Sequence, residues 1–242
     1  MGAAVVPSTP LLLPDVSLTT PQGLEPVRRA AAAALAGLCG AEVVTLLAEG
    51  TPGLHQAGTA SLAGIGRGDL TGAVTADESL LTAVSNATRY PILRDGPLTG
   101  GLSVLAMLLG SATPVVPVTV AGTARFDELV SVGAGIARAL GRPGLRAAVV
   151  AAGDLSGGLG KRSPLYEVEG AVAWDERAVA AVDGGRLDEL GRLGPREARR
   201  VGALGWAPLS VLHGVLAQFR VGMVARHYSA PLGVGYLVAQ GG

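Results

Sequence analysis

The apolar residues of this chain come in short runs, and that shortness limits what it can fold into. Leu102–Ala112 and Ala147–Ala152 are the most apolar stretches. Each ends at Gly, Pro or a charge well before the roughly 18–20 residues that a membrane-spanning helix needs. Runs of this length suit elements buried in a sheet covered on both faces. The point matters because 49% of the 242 residues are hydrophobic and only 16% are charged, with a mean hydropathy of +0.44. Such a chain must bury much of itself, and 242 residues suffice for a substantial core.

Periodicity and turn chemistry supply an alternating order. Ala3–Val6 reads as a strand followed by a Pro-rich turn, Pro7 to Pro14. After Gln22, the positions Val27, Ala31, Ala34, Leu35 and Leu38 recur at helical spacing until Gly40. Glu42–Leu47 reads as a buried strand. Glu49–Asp69, rich in Gly, Thr and Ser, reads as a loop with at most a short strand. Asp77–Thr88 is a helix with Asp77 as N-cap; Gly100–Leu109 is another helix and Val115–Val120 a strand. Phe126–Leu140 is a helix and Leu145–Ala152 a strand. Further helices are expected at about Trp174–Val182, Pro195–Leu204 and Pro208–Phe219, then paired strands Met223–Ser229 and Gly233–Ala239. Strands alternating with helices predict an α/β fold, a single-domain sheet over residues 1–242 with helices on both faces.

Composition also narrows function. Lys plus Arg and Asp plus Glu number 19 each, without a long basic run, so no nucleic-acid surface is expected and no membrane partner. Cys39 is the only cysteine, which excludes an intrachain disulfide and a Cys-based zinc cluster. Met1–Val16 lacks the basic start and unbroken apolar core of an export signal, so a cytoplasmic location is the default expectation.

Polar residues at strand ends are the candidates for chemistry, since open α/β sheets bind ligands there. Ser8 and Thr9 follow the first strand. Gly153-Asp154-Leu155-Ser156-Gly157-Gly158 follows the strand ending at Ala152. Backbone N–H groups of such a turn can cradle an anion, although the spacing of a P-loop is absent; the plain alternative is a tight turn capped by Asp154. Thr99 stands where a helix N-cap is expected. Glu49 follows just after the second strand, Glu42–Leu47. The three histidines, His55, His213 and His227, are dispersed without ligand spacing, and a distant assembly of Glu49, His55, Asp154 and His227 is what remains for a metal. No GxSxG elbow surrounds Ser8.

Taken in order, Val6-Pro7-Ser8-Thr9-Pro10-Leu11-Leu12-Leu13-Pro14-Asp15-Val16, Pro97-Leu98-Thr99-Gly100-Gly101, the Asp154–Leu159 turn and Arg226-His227-Tyr228-Ser229-Ala230-Pro231-Leu232-Gly233-Val234-Gly235-Tyr236 resemble class III extradiol ring-cleavage dioxygenases. These are the LigB-like proteins, to which the Memo-like proteins are related. The resemblance implies a LigB-like fold and an iron held by two His and a carboxylate. It also implies that this chain has replaced them. Ser8 stands at the first ligand His, Ala48–Thr51 spans the second, and Gly202–Pro208 lacks the carboxylate. Thr99 and Gly157 stand at the two acid/base His positions. Glycine cannot move a proton, and a hydroxyl is a poor ligand for ferrous iron.

The expectation is therefore a pseudoenzyme with no metal and no cofactor, a small-molecule-binding or assembly protein that keeps the cleft. That cleft would be bordered by Ser8, Thr9, Glu49, Thr99, Asp154, Ser156, Gly157 and His227. Two alternatives stand beside it. One is a metal-independent enzyme using Asp154 or Glu49 as base and His227 as acid. The other is a ring-cleaving dioxygenase-type chain completed by a partner chain. Homodimerisation is the default oligomeric expectation.

Overall fold

The computed structural model describes residues 1–17, 19, 21–94 and 96–242. In chain order the elements are β1 (Gly2–Val6), α1 (Leu24–Ala36), β2 (Val43–Glu49), β3 (Gly53–His55), β4 (Thr59–Leu62), β5 (Arg67–Ala73) and α2 (Glu78–Thr88). There follow β6 (Ile92–Leu93), α3 (Gly100–Leu109), β7 (Val115–Val120), α4 (Phe126–Leu140), β8 (Ala147–Ala152) and α5 (Ala171–Asp183). The chain ends with α6 (Leu190–Val201), α7 (Trp206–Phe219), β9 (Met223–Ser229) and β10 (Tyr236–Gly241).

One eight-stranded sheet, in the order β6-β3-β7-β2-β8-β1-β10-β9, organises this α/β fold. Its middle strands β7, β2, β8 and β1 are mutually parallel, and they are buried almost from end to end. Antiparallel β3 on one side and the β10–β9 pair on the other make the sheet mixed. Side chains alternate strictly between two cores. Ala3, Val5, Val43, Leu47, Val149 and Ala151 face the layer containing α2, α4, α5, α6 and α7. Ala4, Val6, Val44, Leu46, Val150 and Ala152 face α1 and α3.

The helical layer is held tightly at the crossing of α4 and α7. A Cβ on Gly133 would collide with the Val211 carbonyl oxygen, and one on Gly214 with the Val130 carbonyl oxygen. The two backbones therefore touch through their glycines, an approach no larger residue permits. Asp175, fully buried on α5, ties this layer to the sheet. It accepts from the Ser156 backbone N–H at 2.9 Å and from the Tyr228 hydroxyl at 2.6 Å. Burial pushes the Asp175 carboxyl above its ordinary range, and the same burial, with Asp175 alongside, pushes the Tyr228 phenol up.

Most predicted elements are present at or near their expected limits, and Asp77 caps α2 by accepting from the Leu80 N–H at 2.9 Å. The segment from Glu49 to Asp69 departs from expectation. Instead of a loop it holds β3, β4 and the start of β5, with β4–β5 forming a separate two-stranded ribbon. The β5 strand is largely exposed and Gly-interrupted, so no clean apolar alternation announces it. Residues before Pro195 are also helical: α6 begins at Leu190 and kinks at Gly194, whose φ of 66° is left-handed. Among the described residues, no helix is long and apolar enough to cross a membrane.

The helix crossing generates a stability prediction. Gly133→Ala should lower the free energy of unfolding by about 3 kcal/mol, the upper range of overpacking costs. Gly58→Ala, whose added Cβ meets open space, should stay within about 0.5 kcal/mol of the parent. Urea unfolding of the two variants beside the parent checks both values.

Candidate functional site

Two strand ends meet at the site. Parity along β1 sends Ser8 to the α1/α3 face, as it does Ala4 and Val6. Parity along β8 does the same for Asp154 after Ala148, Val150 and Ala152. Because β1 and β8 are parallel neighbours, with Val6 opposite Ala152, the two residues project side by side beyond the carboxyl ends of their strands. The Ser8 hydroxyl donates to Asp154 Oδ2 at 2.5 Å and the Ser8 N–H donates to the same oxygen at 2.7 Å. The expected local cap is thus a cross-strand clamp.

Helix α3 begins against this clamp. A Cβ on Gly101 would lie 2.9 Å from Ser8 Oγ and 3.1 Å from Ala48 Cβ, so only glycine lets the helix start come so close. Thr99 is the N-cap, but its side chain makes no capping hydrogen bond, and it is exposed.

Above the clamp lies a cavity of about 600 Å³. Its polar lining is made by Ser8, Thr9, Asp154, Tyr236, Ser61 and Ser103, with Gly100 and Gly101 bringing in the start of α3. Leu62, Leu155 and Val234 form apolar wall, and Gly157 and Gly202, close to each other, add no side chain to it. Ile65, Leu165 and Leu204 line the same cavity while remaining 50%, 47% and 53% exposed. These three are therefore an apolar rim. The position, beyond the carboxyl ends of parallel strands, is where α/β sheets bind ligands, and the volume suits a small organic molecule.

Electrostatics concentrate on Asp154. It is 7% exposed, and burial pushes its carboxyl above the ordinary range while the Ser8 hydrogen bonds pull the other way. Tyr236 is raised too, chiefly by burial, with Thr9 opposing and Asp154 adding to the rise.

Several expected cleft residues lie elsewhere. Glu49 shares the parity of Val43 and Leu47, so it falls on the opposite face of the sheet. There it is half-buried beside Gly122 and Arg199, and its carboxyl is raised chiefly by burial. Ser156 is fully buried, and its N–H is held by Asp175 rather than turned to the cavity. His227 lies on the edge strand β9, with Nε2 2.8 Å from Ser229 Oγ, and it does not line the cavity. Asp154 and His227 are thus not brought together as base and acid. His55 pairs with Thr119 Oγ1 at 2.8 Å on β3, and His213 stacks on Phe126 at 5.8 Å between ring centroids.

Ser61, Ser103 and Tyr236 belong to the site without any sequence signal that places them there. Ser61 sits in the ribbon that the sequence hides, and Ser103 lies inside an apolar helix, its hydroxyl donating to the Gly100 carbonyl at 2.7 Å. Tyr236 bridges to Asp154 across the sheet, a pairing that only topology creates.

A ferrous site needs imidazole and carboxylate ligands converging on one point. The cavity wall offers one carboxylate and several hydroxyls, with no imidazole. Among the described residues, no group of three His, Cys, Asp or Glu side chains could hold a metal ion. The residues present do not fit iron.

The raised Asp154 carboxyl has a stability consequence. An unfolded Asp releases its proton near pH 4, whereas folded Asp154 keeps it to higher pH. Its favourable contribution is complete below about pH 4 and is lost as pH rises through the folded-state value. Asp154→Asn keeps the acceptor for Ser8 and does not titrate. The variant should therefore gain stability relative to the parent as pH rises from about 4 to about 8, measured by urea unfolding across that range. A flat difference would refute the burial of a titrating carboxyl here.

No family model and no curated protein matches the chain. Among solved structures it is similar to the crystal structure of the uncharacterized protein JW3007 from Escherichia coli K12. The identity is 15%, 99% of each chain is covered, and the TM-score is 0.67. At that identity the likeness shows a common α/β fold extending over the whole chain.

Proposed function

We propose that this chain is a LigB-like extradiol dioxygenase relative that has given up iron chemistry and binds a small organic molecule in the ancestral cleft. The observation that carries the reading is the cavity of about 600 Å³ at the ends of β1 and β8. It is large enough for a ligand, apolar over most of its wall, and equipped with a few fixed polar groups, the usual make-up of a small-molecule site. Support for the loss of iron chemistry comes from the donor set. The Ser8 hydroxyl donates its hydrogen bond to Asp154, and Gly157 brings no side chain to the wall.

A second reading has one observation in its favour. The rim residues Ile65, Leu165 and Leu204 are exposed together, as they would be if a partner chain closed the cleft. Sedimentation of the isolated chain with and without a cleft ligand separates the readings. Ligand binding by a monomer makes a partner unnecessary.

The main test uses Gly157→Leu. A Cβ there meets only the Gly202 carbonyl at 3.7 Å and Leu165 at 4.0 Å, ordinary contact distances, and the position lines the cavity, so a larger side chain should fill part of it. A fragment screen by ligand-observed NMR should find small apolar or aromatic binders whose affinity falls at least ~10-fold, or 1.4 kcal/mol, in Gly157→Leu, with Tm retained. Anaerobic dialysis against ferrous iron should leave no stoichiometric metal on the protein. Equimolar iron together with catechol ring cleavage would sink the proposal.

A further inference from the structure

The ionisable groups of the cavity wall are unbalanced. Among the described residues, Asp154 and Tyr236 are the titratable ones lining it, and no Lys, Arg or His does so. Asp154 is 7% exposed, and the influences acting on it are burial and hydrogen bonds, with no cation among them. Both hydrogen bonds from Ser8 end on Oδ2, and Asp154 also borders the cavity, so Oδ1, which takes no bond from Ser8, is the oxygen for an incoming group. A buried carboxylate without a counter-ion is a costly arrangement.

The rest of the wall has the opposite character. It includes Leu155 and Val234 together with Ile65, Leu165 and Leu204, of which the last three are about half exposed. A ligand that satisfies both kinds of wall carries a charge on one part and hydrocarbon on the other. Resting on the reading of this cavity as a small-molecule site, we infer that it takes an amphipathic organic cation, its ammonium group on Asp154 and its apolar body running out to the rim. An anionic headgroup would face Asp154 with no side-chain cation to offset it. The start of α3 at Gly100–Gly101 lines the same cavity and offers only a partial positive charge. A neutral alcohol would leave the carboxylate without a counter-ion.

Octylamine, octanol and octanoate share one chain and differ in headgroup charge, so they test the inference by isothermal titration calorimetry. Octylamine should bind at least ~10-fold more tightly than either of the others, in line with a charge-assisted contact. Asp154→Asn should bring amine and alcohol to within about twofold of each other, and Gly157→Leu should weaken all three. Should Asp154→Asn fail to fold, the parent protein still decides the matter. Octylamine stays protonated throughout, and Tyr236, the other titratable wall group, is pushed up rather than down by its surroundings. Amine affinity should therefore fall as pH drops and Asp154 takes up its proton, while octanol affinity stays level. Octanol or octanoate binding as well as octylamine, with Gly157→Leu blocking all, would overturn the cation and leave the cavity reading intact. Binding that Gly157→Leu does not weaken would place the probes elsewhere and overturn both. If none of the three binds, the cation inference falls, and the fragment screen alone then judges the cavity.

Discussion

The structure depends on the burial of one parallel sheet core on both faces. Between β7 and β1 every strand has apolar neighbours above and below, so polar side chains have almost no place along the strands themselves. Thr45, in the middle of β2, illustrates the constraint: its hydroxyl is fully buried and finds no hydrogen-bond partner among the described residues. Polar chemistry is displaced to the strand ends, where the alternation of side chains also ends. Ser8 and Asp154 occupy two adjacent ends on one face, and the site follows from that placement.

The same alternation explains what can be read in advance. Elements bounded by strong signals, such as α3, β7 and α4, have their limits written in Gly, Pro and apolar periodicity, and they begin and end where these residues predict. Ser8, Thr9, Asp154 and Gly157 are legible as candidates because each follows a recognisable strand. Glu49 and Ser156 satisfy the same criterion and fail for a reason the residues do not carry. A strand buried on both faces has no polar side to orient it, so the face of the residue beyond its end is undetermined until neighbouring strands set the register. Thr45 opposite Val149 is one such pairing. It puts Glu49 with the α4–α7 layer, away from Ser8.

Residues contributed by distant segments are harder still. Tyr236 reaches Asp154 because β10 folds back antiparallel beside β1. Ser61 arrives on a ribbon whose second strand is mostly solvent-exposed and broken by glycine. Neither has a local signature. The histidines mislead in the reverse direction. Their chemistry makes His227 attractive, yet it sits on the sheet's edge strand and bonds to Ser229 two residues away, which is an ordinary arrangement for a half-buried imidazole.

Ser8, Gly157 and Asp154 act together on the physics of the cavity. A hydroxyl at Ser8 and the lack of a side chain at Gly157 bring no positive charge to the cavity wall and keep it largely apolar. Asp154 lies in the polar lining, clamped through Oδ2 to the strand end beside it. Among the described residues its carboxyl is the charged group of a largely apolar chamber. What such a chamber selects is set by that imbalance more than by the fold, since a fold hosts many chemistries and the site decides among them. Ser8 is then a positioning group for Asp154: by saturating one carboxylate oxygen it leaves the other to define the direction from which a ligand is held.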